Sequence, residues 1–232
     1  MLSPEADLLW TEYLGQERQK VRSETLQLLE KFINALEKVS LRDREAWALL
    51  IAEAVVDHKK PIPIRMPLFR KVLFPVLLTG YRKQSPGCAR WLAGFTQLIH
   101  RSQECVDLLG PDDCTEYALL RGALVVDPSD TRAKCQLIKV MAWYLKNSIH
   151  EVPSGVLFNM NGATIIECDK LIEELSEFCT LVEVDGSAEE YQELIQECRL
   201  HFTAYPDYLA HRDQYVNYAE YLEQMLKNSE WR

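Results

Sequence analysis

The chain is poor in the residues and spacings that mark catalytic chemistry. Only 9 of its 232 residues are glycine, and none sits in a phosphate-cradling G-x-x-x-x-G-K-[ST] or G-x-G-x-x-G run. There is no G-x-S-x-G elbow and no H-E-x-x-H pair, which removes the common hydrolase and zinc-protease signatures. The five histidines, His58, His100, His150, His201 and His211, are never preceded three residues earlier by Glu, so the helical di-metal pattern is missing too. No cofactor and no metal site is expected. The seven cysteines are odd in number and contain no C-x-x-C. With an N-terminal stretch that lacks the basic-then-apolar order of a leader, this points to free thiols in a reducing cytoplasm. No apolar run is long enough to span a bilayer, because Arg70 and Lys71 split the best candidate and Pro75 follows it.

One further absence organises the rest. Residues 58–103 contain no Asp or Glu, yet carry nine cations: Lys59, Lys60, Arg65, Arg70, Lys71, Arg82, Lys83, Arg90 and Arg101. The whole chain has a net charge of −9. Residues 151–232, with 5 basic and 17 acidic groups, hold −12. A basic middle and an acidic last third are the clearest pattern present. Within the basic stretch, Met66–Gly80 is almost wholly apolar, and a helix of that kind must be covered on most sides. The spacing predicts a buried helix over 67–82 with a cationic rim at its ends, kinked at Pro75.

Scarce glycine and runs rich in Leu, Glu, Ala and Gln favour helix over sheet. The pattern predicts an all-α, multi-helix array of about eight to ten helices, as a bundle or short α-solenoid. It includes amphipathic helices at about 16–39, after a break at Gly15, and at 41–56, the latter opened by Ser40 with Asp43. A helix from Ser85-Pro86 carries Trp91, Leu92, Phe95, Leu98 and Ile99. An antiparallel pair at 115–126 and 130–149 turns at Asp127-Pro128-Ser129-Asp130. Ala123 and Pro128 have the spacing of a tetratricopeptide end, but no 34-residue period supports such an array. Around Asn161-Gly162, two β-leaning runs, 156–159 and 163–167, predict one small β-hairpin near 156–167. That hairpin is the natural border between a part at 1–152 and a part at 153–232. Three helices follow, at about 168–184, 188–204 and 210–228, the last two separated at Tyr205-Pro206.

Three features could carry function. Asp169, Glu173 and Glu177 are spaced by four, as are Glu189, Glu193 and Glu197, so each set lines one helix face. The plain explanation is a solvated face that keeps the protein soluble; the others are neutralisation by the cationic rim, or a basic partner. Tyr215, Tyr218 and Tyr221 sit in an aromatic-rich stretch, where packing of the last helix competes with a peptide groove. The cations Lys59, Lys60, Arg65, Arg70, Lys71, Arg82 and Lys83 could meet phosphate, but a sequence pI of 5.2 argues against nucleic acid.

The reading is a non-enzymatic cytoplasmic interaction module of adaptor, chaperone or inhibitor type. It would present an acidic, Tyr-rich helical surface to a basic or amphipathic protein partner, with no membrane role. The alternative is a small helical enzyme with a His, Cys and acid site in a cleft between the two parts. A homo-oligomer joining the basic region of one copy to the acidic region of another is a third reading.

Overall fold

A computed structural model of the protein describes residues 2–19, 22–153, 158 and 162–229. Among the described residues every regular element is helical. The chain divides into two compact units, Met1–Ala133 and Lys134–Arg232.

The first unit opens with α1 (Pro4–Gln19) and α2 (Arg22–Glu37), which pack as a hairpin. Gly15 does not end α1 as expected. It is an exposed position inside the helix with nothing within 4 Å of where its Cβ would stand. Its cost of about 1 kcal/mol is offset by the buried Ala6, Trp10 and Tyr13 on the same helix. Trp10, Tyr13, Phe32 and the Trp47 ring of α3 (Leu41–Val56) pack with ring centroids 5.0–5.3 Å apart. The cap of α3 is as the sequence implies: the Ser40 hydroxyl accepts from the Asp43 amide at 3.1 Å.

Residues 66–82 form the buried rod. It consists of α4 (Met66–Leu68), a π-helical segment at Phe69–Leu73 and α5 (Phe74–Arg82). Phe69, Val72, Leu73, Phe74, Leu77 and Leu78 are all buried. The π segment lies directly upstream of Pro75. A proline ring crowds the carbonyl four residues back and offers it no N–H. Widening the turn, so that the Phe74 amide bonds Phe69 five residues back, accommodates the ring.

The helix expected from Ser85 is two helices, α6 (Cys88–Ala93) and α7 (Thr96–His100), broken at Gly94. A Cβ at Gly94 would stand 2.6 Å from a Val56 methyl, so α3 and this corner touch backbone to side chain. Next come α8 (Gln103–Leu109) and α9 (Glu116–Val126); α6 packs on both α5 and α9. Helix α10 (Thr131–Glu151) starts in this unit and belongs to the second from Lys134 on.

In the second unit, α11 (Ile165–Asp185) and α12 (Gln192–Ala210) pack together, and α13 (Tyr218–Ser229) packs on α12. The expected hairpin is corrected here. Its first run, 156–159, lies outside the described residues apart from Phe158. Its second run is helical from Ile165 on: Thr164 caps α11 through a reciprocal box with Glu167. The Thr164 hydroxyl accepts from the Glu167 amide at 3.3 Å, and the Glu167 carboxylate accepts from the Thr164 amide at 2.7 Å. The pair satisfies donors at the helix start, which outweighs the β-leaning of Ile165 and Ile166. The break expected at Tyr205-Pro206 is also absent, since Pro206 lies inside α12. Its penalty of about 3 kcal/mol is offset by burying Tyr205 and Tyr208 on either side.

Candidate functional site

Divided along the two units, the charge takes a simple form. Residues 1–133 carry 18 basic and 18 acidic groups and are neutral. Residues 134–232 carry 8 basic and 17 acidic groups, so the second unit holds the entire −9.

Two members of the cationic rim, Arg65 and Arg70, meet carboxylates inside the first unit. The Arg65 guanidinium grips the Glu17 carboxylate with two nitrogens, its Nη2 at 3.0 Å from Oε2. That hydrogen bond holds the Glu17 carboxyl below the usual range. Beside them the buried Tyr13 hydroxyl donates to the Pro63 carbonyl at 2.8 Å, and its ionisation is pushed well up by burial. Arg70 lies 3.8 Å from Glu104 on the surface, and Arg82 donates to the Leu108 carbonyl at 2.6 Å. Lys59, Lys60, Lys71 and Lys83 are exposed.

The strongest electrostatic feature of this unit was outside the expected set. Arg90, its side chain 9% exposed, sits between Asp57 at the end of α3 and Asp130 at the start of α10. Its Nη1 donates to Asp57, and its Nε donates to Asp130 at 2.8 Å. The other Asp57 oxygen accepts from the Trp91 indole at 2.9 Å and lies 3.2 Å from Arg132. The second Asp130 oxygen caps α10 by accepting from the Ala133 amide at 3.0 Å. Both carboxylates of the cluster thus meet a donor at each oxygen, and Arg90 bonds them through Nε and Nη1. It borders an open cleft of about 330 Å³ that Glu53, Asp127 and Ser129 also line.

In the second unit the acidic ladders face water. Asp169 and Glu173 on α11 are exposed and Glu177 is half-buried. Glu189, Glu193 and Glu197 are exposed, but α12 begins only at Gln192, so Glu189 belongs to the preceding turn. Among the described residues no cation lies within 4 Å of Asp169, Glu173, Glu189, Glu193 or Glu197. A groove of about 300 Å³ runs between α11 and α12. Val182, Ala188 and Ile195 give it an apolar floor, and Glu183, Glu189 and Arg199 border it. The Asp169–Glu177 and Glu193–Glu197 rows are turned away from this groove by roughly a third of a helical turn.

The tyrosines do not form a surface. Tyr218 and Tyr221 are buried and Tyr215 is half-buried. Tyr218 and Tyr221 pack with Tyr205 and Tyr208 at centroid separations of 5.1–5.9 Å, fastening α13 to α12, and Tyr215 packs on Tyr221 at 5.0 Å. Tyr221 also donates to Asp207, and burial together with that carboxylate pushes its ionisation up to about 12. Burial holds the His201 pKa below the ordinary value, and its Nδ1 lies 3.0 Å from the Tyr218 hydroxyl.

Among the described residues no histidine lines either of the clefts described above, and Cys179, which lines the α11–α12 groove, has Arg199 Nη2 at 3.8 Å from its sulfur. His58 with Glu53 and His211 with Asp207 are exposed pairs at 3.6 and 3.3 Å. Cys88, Cys105, Cys114, Cys168 and Cys198 are buried. Burial raises the Cys88 and Cys168 thiols to about 11 and Cys198 to about 12, far from a reactive thiolate. Among the described residues no three His, Cys, Asp or Glu side chains converge as a metal site would require, and no helix is long and apolar enough to cross a membrane. No family model, curated protein or solved structure matches the chain.

Proposed function

We infer that the protein is a non-enzymatic interaction module whose second unit receives a basic, amphipathic segment of a partner protein in the α11–α12 groove. One observation carries the reading. The unit holds the whole net charge of the chain, and two exposed acids, Glu183 and Glu189, border a groove with an apolar floor and have no cation within 4 Å among the described residues. Val182, Ala188 and Ile195 suit the apolar stripe of a short helix, and Glu183 and Glu189 suit Lys or Arg along its edge. Glu193 and Glu197, further round α12, add attraction at longer range rather than contact. Tyr205, Tyr208, Tyr218 and Tyr221 serve by holding α13 against α12, which keeps the groove's α12 wall in place.

The test is fluorescence anisotropy of a labelled Lys- and Leu-rich amphipathic peptide against the full chain. The peptide binds, binding weakens with added salt, and an acidic peptide of the same apolar pattern does not bind. Reversing Glu183→Lys and Glu189→Lys together reduces affinity by at least about tenfold. Equal binding of the acidic peptide, or no change on reversal in a protein that keeps its helical spectrum, overturns the reading.

A further inference from the structure

Helix α10 buries one face and leaves the other without cover. Leu137, Ile138, Met141, Leu145 and Ile149 are buried. Round the helix from them, Cys135, Lys139, Trp143, Lys146 and His150 are exposed, and Trp143 is 70% exposed. The only acid in the helix is Glu151, at its last residue. An exposed indole with a lysine one turn away on each side is a contact surface in want of an apolar, acidic counterpart.

The same unit carries that counterpart. On α11, Ile166, Asp169, Glu173, Glu177, Thr180 and Val184 recur at steps of three and four and form one stripe. Ile166 and Val184 are each 69% exposed, and Asp169 and Glu173 have no cation within 4 Å among the described residues. Steps of three and four are the spacing with which two helices share a seam. The α10 stripe from Lys139 to His150 spans about 16 Å and the α11 stripe from Ile166 to Val184 about 27 Å, so the shorter fits within the longer. Lys170 on α11 does not oppose this, because Glu167 and Glu174 on its own helix lie within its reach.

We propose that this chain forms a homodimer in which the Lys139–Trp143–Lys146 stripe of α10 docks on the Asp169–Glu173 stripe of α11 in a second copy. Both stripes belong to one unit, so a two-fold axis makes the contact twice, each copy giving its basic face and taking its partner's acidic one. The groove between α11 and α12 lies on a different side of α11 and stays open, so this inference and the peptide-binding reading stand or fall separately.

The experiment is sedimentation equilibrium of the full chain at tens of micromolar, at low salt and in about 0.5 M NaCl. The wild type is dimeric at low salt and dissociates as salt rises. Lys139→Glu with Lys146→Glu is monomeric, as is Asp169→Lys with Glu173→Lys, each with a wild-type circular dichroism spectrum. Mixing the two in equal amounts restores a dimer, since one reversed pair then meets the other with opposite charge. Trp143→Ala weakens dimerisation at least about tenfold. A wild type that is monomeric at low salt sinks the proposal, and this reading needs no variant to fold. So does a charge-reversed chain that dimerises like the wild type, or a mixture of the two folded variants that stays monomeric.

Discussion

Arg90 is one of nine cations between His58 and Gln103, and it alone is buried between two carboxylates. Its partners stand 33 and 40 residues away, so no spacing rule could have joined them. A signal was nonetheless present: Ala89, Leu92 and Ala93 surround it in sequence and are all buried, which leaves a cation on an apolar helix with little access to water. Such a charge is stable only when paired and hydrogen-bonded. Arg90→Ala therefore strips a counter-charge from Asp57, whose side chain is 3% exposed, and costs about 3–5 kcal/mol of unfolding free energy. Urea titration of the variant measures this directly. Adding Asp57→Asn to Arg90→Ala recovers part of the loss, because the stranded charge goes with it. A double variant as unstable as the sum of the singles would mean the two residues act independently. The tyrosines show the opposite failure. Their helical spacing was legible, but whether an aromatic stripe faces water or its neighbours depends on a second helix, and here α12 covers it.

Elements were read well where a local hydrogen bond sets the boundary. Ser40 with Asp43, Thr115, and the turn from Asp127 to Asp130 all behave as their residue types imply. They were misread where a local preference meets a stronger constraint. Ile165 and Ile166 favour strand, but Thr164 and Glu167 have the T-x-x-E spacing of a capping box, and the box prevails. Pro206 favours a break, but the helix continues because Tyr205 and Tyr208 bury their rings from its two sides. The cap gives a direct test. Thr164→Ala removes the side-chain acceptor and costs about 1 kcal/mol, while Thr164→Ser, which keeps the hydroxyl, costs much less. Chemical denaturation followed by far-ultraviolet circular dichroism separates the two. Equal midpoints for Ala and Ser would mean that α11 does not depend on this box for its start.

At the scale of the whole molecule, two units of one chain manage charge in different ways. The first balances 18 cations with 18 anions and places a deeply buried one, Arg90, between two carboxylates. The second carries −9 and leaves a row of carboxylates in water. Like charges one helical turn apart cost about 0.2–0.5 kcal/mol per pair, and a net charge far from zero works against the compact state. The two regimes respond differently to salt. The Debye length shrinks from about 30 Å at 0.01 M to about 8 Å at 0.15 M, so repulsion among exposed carboxylates fades while a buried pair is barely screened. The wild-type Tm therefore rises as NaCl is added at neutral pH, through relief of the second unit. A variant with Glu193→Lys and Glu197→Lys starts from a higher Tm at low salt and gains less on addition of NaCl. Scanning calorimetry of both chains across that range, at concentrations low enough to keep them monomeric, decides the matter. A wild-type Tm that does not move with salt would mean that these carboxylates repel nothing, and their exposure would then reflect solubility rather than a surface kept charged for a partner.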